Sequence, residues 1–382
     1  LTTEVMSLDT INTIRQYYHI PLEPVEKEPA PAVGQQGKAV NFRITDETIG
    51  TGSAKEKFRA NMDAIRLLHQ IEQEGRTTAT PEEQEILSRY VGWGGLQEAF
   101  EERSEAWSDE FIELYAELDP EEYKAAREST LNAFYTPPVV IKAMYEALEN
   151  MGLEKGNVLE PSCGIGNFLG LVPDGMDRLN MYGVELDSIS GRIAKLLYPE
   201  ADITISGFEK TEFPDGFFDV AVGNIPFGGY KLIDRRYDRQ KFFVHDYFIA
   251  KTIDKVRPGG VIAFVTSNGI SGGTMDKQDA KAREYIAQRC ELLGAIRLPN
   301  NVFQANAGTR MNTDILFLQK LDAPRMLGKE LPEWVQTDEL LREEYTNDKG
   351  ENSHNFVTVN RYFQNHPEMV LGEQKIVSGP FG

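Results

Sequence analysis

The sequence predicts an α/β protein: a mostly parallel sheet with helices on both faces, preceded by a helical region. Three observations carry this. From Gly156 onward, short apolar runs alternate with longer stretches at helical spacing, the pattern of strands joined by crossover helices. The first run, Val158-Leu159-Glu160, ends in a small-residue loop that opens a helix. Between Ser53 and about Glu128 the apolar residues recur at helical spacing throughout.

Residues 1–40 read as a flexible N-terminal segment and linker, because Pro24, Pro29 and Pro31 stand among Glu, Ala, Gly and Gln and bring too little apolar area to order the chain. The helical region, 41–130, is marked by Ile65, Leu68 and Ile71 and then by Ile86, Tyr90 and Val91. Thr80 before Pro81, Glu82 and Glu83 fits a helix cap with proline first and acids in the opening turn. Gly92, Gly94 and Gly95 around Trp93 then break the helix. Residues 131–320 form the α/β domain, with strands expected at 157–160, 181–185, 203–205, 218–222, 261–266, 292–298 and 314–318. Beyond Lys320 the chain is polar and proline-containing, so 321–382 is expected to be a C-terminal extension. Leu1 at the start and Pro380-Phe381-Gly382 at the end suggest a piece of a longer protein.

A formal charge of −20 argues against a free-standing DNA-binding module, since phosphate contacts come from clustered Lys and Arg. The acidity is concentrated before residue 130, where acids outnumber bases roughly two to one, as on a solvated helical surface. No apolar run approaches a membrane span and no secretory signal is visible, so a cytoplasmic protein without membrane contact is expected. The two cysteines, Cys163 and Cys290, are far apart and lack ligand spacing, so neither a disulfide nor a metal site is expected.

In the run from Glu160 to Phe168, glycines at 164 and 166 would let a ligand approach the backbone, and the following helix start favours a carboxylate. A Gly-x-Gly alone fits a plain tight turn equally well. The next strand ends in Gly183-Val184-Glu185-Leu186-Asp187, where an acid can accept from both ribose hydroxyls of a nucleotide-like ligand or simply face solvent.

Glu160-Pro161-Ser162-Cys163-Gly164 resembles motif I of the adenine-specific (N6) DNA methyltransferases. Phe134-Tyr135-Thr136-Pro137-Pro138 is similar to the segment that closes over the methionine part of the cofactor in that family, although Thr136 as a helix cap explains the same residues. The resemblance implies a Rossmann-like S-adenosylmethionine-dependent methyltransferase sheet of about seven strands, the last antiparallel, with 131–320 as the catalytic domain. It implies that Tyr135, Thr136, Glu160, Pro161, Ser162, Cys163, Gly164, Gly166, Asn167, Phe168, Glu185, Leu186 and Phe208 line S-adenosylmethionine. At the third strand the family usually has Asp before Phe208; here Gly207 stands there, and Glu209 is the neighbouring acid.

The predicted strand at Phe218 runs into Asn224-Ile225-Pro226-Phe227, where the family generally has Asn or Asp, two prolines, and Tyr or Phe. The amine of adenine is a poor nucleophile because its lone pair is delocalised, so two acceptors on its hydrogens are needed; the Asn224 side-chain oxygen and the Ile225 carbonyl can supply them. Pro226 restrains Ile225 and Phe227 would stack on an extruded base. Ile225 in place of the first proline leaves the main-chain acceptor intact. The implied partner is DNA, and Tyr230 with Arg235, Arg236 and Arg239, in a basic cluster that includes Lys231 and Lys241, is the expected contact; a solvated loop fits equally. His245-Asp246 opens a helix and reads as structural. Val256 to Gly260 resembles a turn before the next strand.

Tyr90-Val91-Gly92-Trp93-Gly94-Gly95-Leu96, with these motifs, is similar to the methylase region of large methylase-helicase proteins of conjugative elements and phages, which implies a helicase region in the same parent chain. Two other readings remain: methylation of RNA or of a protein glutamine amide, and a degenerate methyltransferase fold that binds DNA or counters restriction.

Overall fold

The computed structural model describes residues 40–130, 135–176, 178–267, 273–304, 312–346, 350 and 352–374. Residues 1–39 of the expected N-terminal segment and linker, like Phe134, lie outside the described residues. The chain divides into two compact units, Leu1–Thr211 with Asn301–Thr309, and Glu212–Asn300 with Arg310–Gly382.

In the first unit, three of the N-terminal helices start where a side chain satisfies free backbone N–H groups. Helices α1 (Ala54–Gln73), α2 (Pro81–Leu87), α3 (Ser108–Glu117) and α4 (Pro120–Ser129) form the N-terminal region. Ahead of α1, α2 and α4, Ser53, Thr80 and Asp119 each accept from the N–H of a glutamate three residues on, whose carboxylate reaches back to the cap. Phe58, Met62, Ile65, Leu68 and Ile71 form the buried stripe of α1.

Then come α5 (Pro138–Asn150), β1 (Lys155–Glu160), α6 (Asn167–Gly170), β2 (Arg178–Glu185), α7 (Ser188–Leu197) and β3 (Asp202–Ile205). The three strands are parallel, with Glu160 opposite Gly183 and Glu185 opposite Ile205. The N-terminal helices hold α7 by polar contacts as well as apolar ones. Gln84 Nε2 donates to the carbonyls of Val40 (3.0 Å) and Leu196 (3.1 Å), and Arg192 pairs with Glu72 (2.8 Å) and with Glu122. His69 lies between Glu117 (3.2 Å) and Glu122 (3.3 Å).

The second unit contains β4 (Phe218–Asn224), α8 (Val244–Lys255), β5 (Val256–Ser267), α9 (Lys281–Ala287), β6 (Cys290–Leu298), β7 (Thr313–Lys320), a hairpin of β8 (Thr337–Thr346) and β9 (Asn352–Asn360), and α10 (Arg361–Asn365). Strand β4 is parallel to β5, while β7 runs antiparallel to both β5 and β6. The seven strands form one sheet in the order β3-β2-β1-β4-β5-β7-β6, so the expected Rossmann-like fold with an antiparallel last strand is present. The turn expected at Val256–Gly260 is instead an irregularity inside β5: Val256 pairs with Phe218 and Val261 with Val220, so Arg257 to Gly260 bulge opposite a single residue.

The stretch after Lys320 contributes Trp334, Val335, Tyr362, Phe363 and Met369 to the buried residues. Its anchor is Asn360, fully buried, whose amide donates to the carbonyls of Met275 and Trp334 (2.8 Å each) and whose backbone N–H donates to Asp276 Oδ1 (2.8 Å). Arg297 binds that aspartate (3.0 Å) and Asp314 (2.9 Å), so the buried cation is balanced by two carboxylates. Among the described residues no helix is long and apolar enough to cross a membrane.

Replacing Asn360 by Ala would leave two buried carbonyls without their donor. The expected outcome is a loss of about 2–4 kcal/mol of stability, read from denaturant midpoints.

Candidate functional site

In the first unit, β1 delivers Glu160 to a loop that reverses the chain at Gly164 (φ +56°) and Gly166 (φ +89°), backbone angles that favour glycine. Space is equally restrictive there. A Cβ on Gly166 would lie 2.5 Å from Cε2 of Tyr198, and one on Gly164 3.0 Å from Cε1 of Tyr135, which therefore covers the loop. Pro161 and Cys163 are buried and Ser162 is partly exposed. Burial pushes the Cys163 thiol up, so it is a neutral wall packed beside Gly183 and not a nucleophile. Phe168 is buried, its carbonyl accepting from Tyr145 Oη (2.8 Å).

Glu185 joins this loop to the next one. Its Oε2 accepts from the Gly164 N–H (2.7 Å) and its Oε1 from the Asp187 N–H (2.8 Å), while Asp187 Oδ1 caps α7 through the Ser190 N–H (2.7 Å). Burial, then the charge of Asp187, raises the Glu185 carboxyl to about 7. Glu160 is 2% exposed; burial, reinforced by Glu185, holds its carboxyl well above the usual range. Glu160 Oε2 and Asn167 Oδ1 are buried acceptors with no hydrogen bond from the protein, which favours a ligand that brings donors.

One expectation in this unit changes, and two further residues are placed. Thr136 is not the cap of α5: Pro137 occupies that position, no side chain caps the helix, and Thr136 is itself buried. Leu186 points outward, 74% exposed. Phe208 is buried as the start of a short helical turn, and the space a side chain at 207 would fill is taken by both carboxylate oxygens of Glu209, with which a Cβ on Gly207 would collide.

In the second unit, Asn224 is the last residue of β4, paired with Val265, and the next N–H, that of Ile225, still donates to the Val265 carbonyl (3.1 Å). The Ile225 side chain is 1% exposed, so the aliphatic residue is used in packing. Asn224, Pro226 and Phe227 are partly exposed. Tyr230 is 42% exposed, its ring lies against Gly228, and its carbonyl accepts from the Val244 N–H at the start of α8 (3.0 Å).

The basic cluster separates into two kinds of residue. Arg236 grips Asp215 through two hydrogen bonds (3.0 and 2.8 Å) and pairs with Asp254 (2.8 Å), holding the Asp215 carboxyl down at about 2. Its guanidinium is thus paired with two carboxylates, while the side chain remains 49% exposed. Arg235 and Arg239 are exposed. His245 and Asp246 are each 2% exposed and 3.6 Å apart; burial lowers the imidazole pKa and Thr274 donates to Asp246 (3.0 Å), an arrangement internal to the core. Among the described residues no group of three His, Cys, Asp or Glu is placed to hold a metal.

Sequence reasoning brought together the loop and Glu185 but missed Asp187 and Tyr198. Asp187 carried a usable signal, an acid three residues before a serine at a helix start. Tyr198, at the far end of α7, carried none.

The raised Glu185 carboxyl has a consequence for stability. The fold binds its proton more tightly than the unfolded chain does, so its contribution is full below about pH 4.5 and is lost as pH rises through about 7. Glu185→Gln removes that loss: wild-type stability minus variant stability should fall by roughly 2 kcal/mol between pH 5 and 8 in denaturant titrations.

The N-6 DNA Methylase family profile matches residues 109–352. Defense against restriction protein B of Escherichia phage P1 is 31% identical over 288 residues, 74% of this chain and 11% of that protein. Modification methylase CviBIII of Paramecium bursaria Chlorella virus NC1A is 27% identical over 154 residues, 39% of this chain and 41% of that protein. The Type I restriction enzyme EcoEI methylase subunit of Escherichia coli is 28% identical over 212 residues, 49% of this chain and 42% of that subunit. The chain thus spans a minor part of each relative's length. With the profile covering more than half of the chain and the α/β sheet in place, this chain belongs to the N-6 DNA methylase family, whose methyl donor is S-adenosylmethionine.

Proposed function

We propose that this chain methylates the exocyclic amine of adenine in DNA. The observation that carries the reading is Asn224, held as the last residue of β4 by its pairing with Val265, with Ile225-Pro226-Phe227 directly after it. Bound S-adenosylmethionine supplies an activated methyl group. The chain's part is to present the amine. The Asn224 side-chain oxygen and the Ile225 carbonyl accept hydrogen bonds from its two N–H groups, which localises the lone pair on nitrogen; the partly exposed Phe227 stacks on the base. Ile225 replaces the family's first proline without loss of an acceptor, because the group required is a main-chain carbonyl.

The donor set of the first unit suits the cofactor. Glu185 offers its remaining lone pairs to two ribose hydroxyls, and the buried acceptors of Glu160 and Asn167 suit an ammonium group. Tyr135 over Gly164 closes the loop side. Glu209, folded over Gly207, takes the place of the family's aspartate as acceptor for the adenine amine of the cofactor, beside Phe208.

Asn224→Ala should bind S-adenosylmethionine as the wild type does and lose at least about 100-fold in transfer. Labelled methyl transfer to mixed DNA, followed by nucleoside analysis, reads both the rate and the product; label in RNA or protein alone, or transfer unchanged in the variant, would overturn the assignment. For DNA contact, neutralising Arg235 and Arg239 together should reduce the slope of log affinity against log salt by about 1.8. Arg236→Ala should lower stability instead, by removing its ion pairs with Asp215 and Asp254.

The phage relative's name gives a second reading its support: the biological use of this site is to counter restriction. DNA binding by a wild-type chain that transfers no methyl group would favour a non-catalytic form of that role.

A further inference from the structure

The loop between β4 and α8 holds an isoleucine out in water. Ile233 is 86% exposed, and among the described residues only Met326 is a more exposed large apolar side chain. Single exposed apolar side chains are common on protein surfaces. This one differs in its support. The Tyr230 carbonyl is held by the Val244 N–H, and Asp234, directly after Ile233, accepts from Tyr247 (2.8 Å) and Lys251 (3.3 Å) of α8. The Asp234 N–H donates to Asp238 Oδ1 (2.9 Å), its carbonyl accepts from the Tyr237 N–H (2.8 Å), and Tyr237 Oη donates to Asp254 (2.6 Å). Farther on, Lys281 donates to the Gln240 carbonyl. Fixed backbone therefore presents Ile233 from both sides, while a side chain so exposed adds little to packing.

The loop belongs to the edge of the sheet at which Asn224 ends. Strands β4 and β5 are parallel, so α8 between them runs back from that edge, where open α/β sheets bind their ligands. The Tyr230–Val244 bond keeps the start of the loop there, and Tyr247, which holds Asp234, is three residues or about 5 Å into α8. Three residues span at most about 11 Å, which bounds the distance of Ile233 from Tyr230. The ring of Tyr230 is itself turned back against Gly228. Charge supplies the second observation. From 231 to 241 five Lys and Arg stand against two Asp, in a chain of formal charge −20. Lys231, Arg235 and Arg239 are exposed on the two sides of Ile233. An apolar side chain between cations matches a duplex, whose phosphates flank a stack of bases.

We propose that Ile233 is a positioning residue for duplex DNA: its side chain enters the base stack at the place the target adenine leaves when it is extruded toward Asn224, with Lys231 and Arg235 against the neighbouring phosphates. The inference rests on the proposed methylation of adenine in DNA. Contact with the isoleucine replaces part of the stacking lost at the vacated place, so the extruded state gains on the paired one. A single strand has no such vacancy and needs no wedge.

The experiment is labelled methyl transfer by the whole chain to one unmethylated, mixed-sequence DNA, offered as duplex and as heat-denatured single strands, alongside thermal unfolding. Ile233→Ala should transfer about tenfold more slowly to duplex, match the wild type on single strands and keep its unfolding midpoint, and Ile233→Leu should regain most of the duplex rate. Ile233→Lys tests the wedge on duplex alone, whether or not single strands are substrates: the added charge should tighten duplex binding while transfer falls. Three results would overturn the proposal. They are unchanged duplex transfer by Ile233→Ala, as expected of a patch that meets a protein; an equal loss on both substrates; and transfer that rises with affinity in Ile233→Lys, the mark of a plain surface contact. Absence of transfer to any DNA by the wild type would instead remove the adenine reading beneath it.

Discussion

The first unit turns on one carboxylate. Glu185 sits at the end of β2 and accepts from the N–H groups of Gly164 and Asp187, so it fixes the loop after β1 and the turn after β2 together. Two backbone bonds support the first loop as well, from the Cys163 N–H to the Val184 carbonyl (2.9 Å) and from the Gly166 N–H to the Cys163 carbonyl (2.7 Å), while Asp187 caps α7. Burying an acid there is costly, and its pKa of about 7 records the cost. Both of its oxygens are used as acceptors, which a neutral amide with a single acceptor oxygen could not match. A carboxylate retained here, whose charge also raises the neighbouring Glu160 carboxyl, suits a site that receives hydroxyl and ammonium donors.

The second unit solves a different problem, presenting a short turn from the end of a rigid central strand. Ladder pairing continues through Asn224 and ends with the Ile225 N–H, so the first residues of the turn inherit the rigidity of β4 and β5. The buried Ile225 side chain supplies by packing what a second proline would supply by covalent restraint. Farther along, Asp234 accepts from Tyr247 (2.8 Å) and Lys251 (3.3 Å) of α8 and fastens the basic loop to that helix. The loop can then expose Arg235 and Arg239 without being free to move with them.

What could be read in the sequence was what neighbours in the chain decide. Strands were legible because apolar runs such as Phe218 to Val222 have no other use, and the capping box at Thr80 because its partners are three residues apart. Gly164, Gly166 and Glu185 were legible as a set because a ligand loop constrains spacing. Interactions across the chain left no trace. Arg236 looked like a free cation because Asp215 is 21 residues away, and the C-terminal stretch looked merely polar because Asn360 finds Asp276 across 84 residues. The reading of Thr136 as a cap failed for a local reason: Pro137, which needs no N–H partner, took the position instead.

Gly207 and Glu209 point beyond this one chain. Both carboxylate oxygens of Glu209 lie in the volume that a side chain at 207 would fill, so an aspartate at 207 would require the flexible end of Glu209 to swing aside. A search pattern that insists on the aspartate would discard chains like this one, in which glycine at 207 leaves room for the acid two residues along the backbone to fold back.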